Sequence, residues 1–340
     1  MNEQRFQEIT AKYPRLRIAV VGDFCLDRYL EIDPAKSEVS IETGLQVHNV
    51  VNVRSQPGAA GTILNNLVAL GIGAITPVGF CGQDGEGYEL LAAMATQSGV
   101  CLDHFLQTPH RRTFTYCKPL VLEPGRPPRE LNRLDSKNWD ATPEPVRRVL
   151  RDSFDAVAES SDAVVLMDQV DLADTGVVTS DLLSAVGGKA KLHREVLMIG
   201  DSRRSLKNWP PVLLKMNNAE LSTLTRLPPS DSIEAIKMSA MNLARAHARP
   251  VFITLAERGI VGAEPEGPIK HQPAFPVRGA IDIVGAGDAV MANLTAALAG
   301  GATLSEALEL AMAAASVVVH QLGTTGAARV EDLRTVLFSN

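Results

Sequence analysis

The sequence predicts an α/β fold: a mostly parallel central sheet with helices on both faces, plus a small β-sheet outside that layer. Two observations carry the prediction. Stretches 162–168 and 196–201 are β-branched, apolar runs that each end in an acid, Asp168 and Asp201, and 173–186 between them reads as a helix. That is the strand–helix–strand alternation of a parallel sheet, with right-handed crossovers expected. Residues 45–53 and 112–122, with 130–134, are instead short alternating segments broken by turn residues such as Pro124-Gly125, which suits a separate small sheet. With 340 residues, 45% hydrophobic and 4% aromatic, the chain can bury a sizeable core as one large or two smaller domains.

Taken in order, residues 1–12 are mixed polar and charged, so they read as neither a signal peptide nor an anchor. Leu16 to Val21 is a β-branched run ending in Gly22-Asp23, as expected of a central parallel strand. Asp23 and Asp27 follow at its carboxyl end, where open α/β sheets place ligands; for Asp23 a turn-forming role stands beside the ligand-facing one. Pro57-Gly58-Ala59-Ala60-Gly61-Thr62 leads into a helix over 63–70 that Gly71 closes. A helix over 88–98 follows a glycine-rich turn in which Asp84 reads as a cap, and the glycine spacing fits neither a dinucleotide fingerprint nor a P-loop.

After a helix expected over 143–159, Arg203 and Arg204 follow the strand 196–201 into the ligand edge. Asn217 and Glu220 stand where a strand end meets a helix start, a pattern that serves a cap as well as a site. Asp282-Ile283-Val284-Gly285-Ala286-Gly287-Asp288 then feeds the apolar run 289–299. Backbone amides of Ala286, Gly287 and Asp288 at that helix start make an anion site, and small side chains let a phosphate approach. The apolar helices 289–299 and 304–322 are interrupted by Gly300-Gly301 or carry Glu306 and Glu309, so they read as core rather than membrane spans.

A formal charge of −6 argues against nucleic acid and anionic membranes as general partners. Cys25, Cys81, Cys101 and Cys117 show no metal or CxxC spacing, which fits reduced thiols and a cytoplasmic location.

The stretch Asp282 to Asp288 resembles, with Ile283 for the usual Thr, the signature of the ribokinase-like (PfkB) sugar kinases, and motifs matching the family run in order from about 16 to 328. Gly22 to Tyr29 resembles the opening of the heptose-7-phosphate kinases in particular, as does Gly323-Thr324-Thr325-Gly326 near the end. The resemblance implies a ribokinase-like kinase domain over about 14–335 with lid segments at 28–55 and 111–135, ATP and Mg²⁺ as cofactors, and a homodimer through the β lid. In some relatives it also implies potassium. Asp288 would be the base that takes the proton from a sugar hydroxyl, with Gly285, Ala286 and Gly287 cradling the transferred group. Asp27, Gly58, Ala59, Thr62 and Arg203 would meet a sugar or sugar phosphate. Asn217, Glu220, Thr254, Glu257 and Gly259 would serve the nucleotide, Glu220 through Mg²⁺-bound water and Asp282 at a monovalent-cation site.

Ser40, Glu42 and Arg133-Leu134-Asp135 also match heptose kinases, while Arg111, Arg112, Lys118 and Arg133 form a basic cluster read either as a solvated face or as meeting an anionic substrate. The chain departs from the pattern at Ala59 (a family Gly), Thr62 (a family Asn) and Asp171 (a heptose-kinase Lys). The chain ends soon after the kinase pattern, so a stand-alone kinase is expected. The competing readings are another PfkB kinase for a hexose, hexose phosphate or nucleoside, and a non-catalytic sugar-phosphate-binding protein.

Overall fold

Seven strands lie parallel in the order Phe105–Thr108, Ala74–Gly82, Arg17–Gly22, Ala163–Asp168, Leu197–Ser202, Leu213–Asn217 and Val251–Thr254. An antiparallel hairpin, Ile260–Ala263 and Ile269–Gln272, closes one edge. The computed structural model describes residues 1–193 and 195–339. The central strand Ala163–Asp168 is buried at every position, as a run without polar alternation requires when helices cover both faces. Alternate residues of Arg17–Gly22 feed opposite cores. Ile18 and Val20 pack with the helices Ala60–Ala69, Ala286–Ala299 and Leu304–Val319, whereas Ala19 and Val21 pack with Glu144–Ser160, Ser180–Leu192 and Ile233–His247.

The second sheet holds Leu134–Ser136, Phe114–Val121, Phe24–Ile32 and Val50–Ala59 in that order. Its central pair, Phe24–Ile32 with Phe114–Val121, is parallel, and the flanking pairs are antiparallel. Sequence reading placed Asp23 and Asp27 after the first strand without marking the strand Phe24–Ile32 itself. The chain leaves the main sheet at Asp23 and enters the second sheet one residue later, with no turn residues to announce the change. Directly paired residues of a sheet project from one face. Gln56, Asp27, Tyr116 and Asp135 are paired in a row, so they share a face of this lid.

Two expectations shift. The helix expected over 173–186 is Ser180–Leu192, capped by Thr179. Residues before it wrap Asp23 instead: Asp23 accepts N–H groups of Gln169 and Val177 at 2.8 and 2.7 Å, and a side chain at Gly176 would collide with its carboxylate. Asp23 is therefore a buried anchor for this loop and not a substrate contact. Asp84 is the cap the sequence indicates, accepting from Gly87 N–H, Thr113 N–H and the Thr113 hydroxyl at 2.6–3.0 Å. Among the described residues no helix is long and apolar enough to cross a membrane.

Candidate active site

The carboxyl ends of the strands Leu213–Asn217 and Val251–Thr254 and the start of helix Ala286–Ala299 line one pocket, and Asp27 of the lid lies close enough to Asp288 to act on its carboxyl. Gly285 turns the loop into that helix with φ 83°, a left-handed conformation open to glycine, and no side chain caps the helix. Ala286 N–H bonds back to Ile283 O at 3.3 Å. The anion cradle thus rests on Gly287 and Asp288, whose amides have no acceptor among the described residues, and not on all three amides. Asp282 tethers the loop: its carboxylate accepts Val284 N–H at 3.0 Å and Gly323 N–H at 3.2 Å.

Asp288 stands in the first turn, half-buried. Burial pushes its carboxyl up to about 7; Lys215 opposes that rise, and Asp201 and Asp27 add to it. Lys215 is buried on the strand Leu213–Asn217, with Nζ 2.6 Å from Asp201 Oδ2. A side chain at Gly287 would come within 3.3 Å of that Nζ, so the ammonium lies against the cradle. Burial works to lower the Lys215 pKa, but Asp201, with Asp288 and Glu220, outweighs it and the net shift is upward. Sequence reading missed this lysine because Lys215 sits in an apolar strand, and its partner Asp201 lies on the neighbouring one.

On one side of the cradle a pocket of about 490 Å³ brings together Asn217, Thr254, Glu257, Gly259 and Gly287, with apolar walls from Phe275, Val290 and Met312. Asn217, Thr254, Glu257 and Gly259 are among the residues the resemblance assigns to a nucleotide; Glu220, the fifth, lines a neighbouring pocket with Arg203 and Arg204. Asn217 and Glu220 form a reciprocal capping box, Asn217 N–H donating to Glu220 Oε2 at 2.7 Å and Glu220 N–H to Asn217 Oδ1 at 2.9 Å. The cap occupies one carboxylate oxygen of Glu220. Burial, with Asp201 nearby, raises its pKa, as expected of an acid that gains from a cation beside it.

On the other side lies Asp27, buried in the lid with Lys118 Nζ 3.4 Å from its Oδ1. Burial raises the Asp27 pKa and Lys118 counters part of the rise. Gly58 pairs with Cys25 on the neighbouring strand, and a side chain there would strike the Asp27 carboxylate. Ala59 holds φ 54° and ψ −116°, a conformation suited to glycine, at the position where the sequence departs from a Gly. Thr62 does not line the cleft: it is 1% exposed and its hydroxyl has no hydrogen-bond partner.

The lid cations divide. Arg111 is neither solvated nor a ligand contact: its buried guanidinium donates to Asp140 O, the Thr142 hydroxyl and Thr175 O at 2.6, 3.1 and 3.3 Å, supplying loop carbonyls that would otherwise lack donors. Arg133 pairs with Asp135 and lies 4.9 Å from the Tyr116 ring centroid. Arg203, half exposed, has Nε 3.6 Å from Asp171 Oδ1, and Lys137 Nζ is 2.6 Å from Asp171 Oδ2.

Residues 16–330 match the model of the pfkB family carbohydrate kinases. The chain belongs to that family. Membership makes it a carbohydrate kinase and implies ATP as the phosphoryl donor. It is 30% identical over 321 residues to the "Bifunctional protein HldE" of Azorhizobium caulinodans, covering 94% of this chain, and 31% identical over 319 residues to that of Rhodospirillum rubrum, covering 93%. The chain spans 64% and 61% of those relatives' lengths. Among solved structures it is similar to Arabidopsis thaliana ribokinase complexed with ribose and ATP, with TM-score 0.68, 20% identity and coverage of 96% and 99% of the two chains. Escherichia coli phosphofructokinase-2 in complex with potassium gives TM-score 0.70 at 18% identity, with 94% and 98% covered. These likenesses establish the ribokinase-like fold.

Proposed function

We propose that this pfkB kinase transfers the γ-phosphoryl group of ATP to a hydroxyl of a sugar or sugar phosphate, with Asp288 as the base. The observation that carries the reading is the position of Asp288: a carboxyl raised to about 7, in the first turn beside free amides, between the 490 Å³ pocket and Asp27. A base of that pKa takes a hydroxyl proton near neutral pH, and in-line transfer needs little beyond positioning and charge stabilisation. ATP would lie in the pocket with its terminal phosphate at the Gly287 and Asp288 amides. The acceptor would sit under the lid against Asp27 and Gly58.

Among the described residues no group of three or more His, Cys, Asp or Glu could hold a metal. Mg²⁺ keeps its waters and is held mainly by substrate phosphates, and the Glu220 oxygen outside the cap would be the protein's contribution. Mg²⁺ supplies charge neutralisation at the phosphates when bound. Asp282 would hold a monovalent cation in the loop it tethers. We place the kinase in the cytoplasm. We also assign Val39, Ile41, Leu45 and Leu134, apolar and at least 66% exposed on the lid, to a homodimer contact; sedimentation should then report about twice the 36.4 kDa chain mass, and a monomer throughout would remove that assignment.

An ADP-release screen over sugars and sugar phosphates tests the function, with heptose 7-phosphate first among the esters because Gly22 to Tyr29 resembles its kinases. Acceptor-dependent ADP release is the expected result. Tight sugar-phosphate binding with no ADP release from any acceptor would contradict it and favour a non-catalytic binding protein.

A further inference from the structure

Residues 273–285 form a strap without strand or helix that joins the strand Ile269–Gln272 to the helix Ala286–Ala299. Its Phe275, Val277, Ile281 and Ile283 line the 490 Å³ pocket, and the last three are at least 45% exposed. Apolar side chains left open beside a cavity gain from covering the flat face of a ligand, which in the proposed kinase is the nucleobase. Yet little fixes this wall in place. Among the described residues, one hydrogen bond ties the stretch 274–281 to the rest of the chain: Arg278 N–H donates to Nε2 of His320 at 3.0 Å. The next tether is Asp282, whose N–H donates to Val319 O at 2.8 Å.

His320 directly follows the helix Leu304–Val319, and its backbone N–H bonds to Val317 O at 3.3 Å instead of to Ser316 O. The imidazole serves that orphaned carbonyl, with Nδ1 2.6 Å from Ser316 O. A carbonyl only accepts, so Nδ1 carries the proton; an amide N–H only donates, so Nε2 carries the lone pair. One ring nitrogen is thus held by the helix that supplies Met312 and Val319 to the pocket, and the other holds the strap. His320 itself is not among the pocket-lining residues.

We infer that His320 is a positioning residue for the nucleotide: it latches the strap to the helix Leu304–Val319 and so keeps the pocket in the form that takes the base. The inference rests on the kinase reading, and its test separates the two. When only a fraction of molecules has the strap in place, apparent affinity falls by that fraction, whereas a molecule already carrying ATP reacts as before. Loss of the latch therefore acts on KM and not on kcat, and one hydrogen bond sets the scale at roughly 3- to 10-fold.

Wild type is compared with His320→Ala and with His320→Gln, whose amide oxygen can still accept from Arg278. His320→Ala should raise KM for ATP, and Kd for ATP by calorimetry, by roughly 3- to 10-fold with kcat within twofold of wild type. His320→Gln should recover most of that loss, and melting curves check that both variants fold. A rise below threefold in His320→Ala, a loss confined to kcat, or a glutamine variant as weak as the alanine one overturns the inference. A second readout needs no catalysis: Arg278 is exposed, and trypsin can cut the Arg278–Gly279 bond. Cleavage there, followed by mass spectrometry, should run at least threefold faster in His320→Ala than in wild type or His320→Gln, and equal rates overturn the latch. ADP release by wild type decides the kinase reading independently. A wild type that neither releases ADP nor binds ATP would sink that reading and the nucleotide role together, while the cleavage rates still decide whether His320 holds the strap.

Discussion

At the residue scale the chemistry turns on a balance of charge around Asp288. Burial keeps its proton on until about pH 7, and the Lys215 ammonium pulls that value down while Asp201 and Asp27 push it up. A base must be ionised to act, so kcat/KM should fall about tenfold per pH unit below an acid limb near 7. Removing the cation in Lys215→Met leaves burial and the two acids unopposed, which moves the limb to higher pH; Lys215→Arg, which keeps the charge, should restore much of it. Profiles of wild type and both variants check this, and superimposable acid limbs would show that Lys215 serves folding alone. Asp288 and its loop are legible in the sequence because they are contiguous. Lys215 with Asp201, and Asp171 with Lys137, are not, because each pair is assembled from strands or loops far apart in the chain.

At the element scale, alternation and glycine punctuation disclose the main sheet and its covering helices, since the physics there is local: buried parallel strands need continuous apolar runs, and helix starts need caps. The errors arise where a tertiary partner decides. Residues 173–179, Ala-Asp-Thr-Gly-Val-Val-Thr, are poor in helix formers and wrap the buried Asp23 carboxylate, and the helix waits for the Thr179 cap. The lid strand Phe24–Ile32 hides behind a one-residue link from the main sheet. The junction from the lid to the helix Ala60–Ala69 carries strain, because Ala59 adopts φ 54° and ψ −116°. Relief of a strain of about 1–3 kcal/mol should exceed the added chain entropy of glycine, about 0.5–1 kcal/mol. Ala59→Gly should therefore raise Tm by about 1–4 °C in a thermal melt, and a lower Tm would show that Ala59 packing outweighs its backbone cost.

At the scale of the whole molecule, two sheets set at one cleft account for the division of labour. In the proposed reading the main sheet and the helix Ala286–Ala299 hold the nucleotide pocket and the base, and the lid carries the acceptor contacts. The fold and the sugar-kinase class follow from motif order along the sequence; the acceptor's identity does not, since it depends on which lid side chains face the cleft and which cations are already paired. The account stands on Asp288 as the base within that cleft. Its most direct test is Asp288→Asn, compared with wild type for ADP release with the best acceptor and for ATP affinity by calorimetry. The account predicts kcat lower by about 10²- to 10⁴-fold with the melting curve and ATP affinity largely kept. Turnover within a few-fold of wild type would contradict it and remove Asp288 from the reaction.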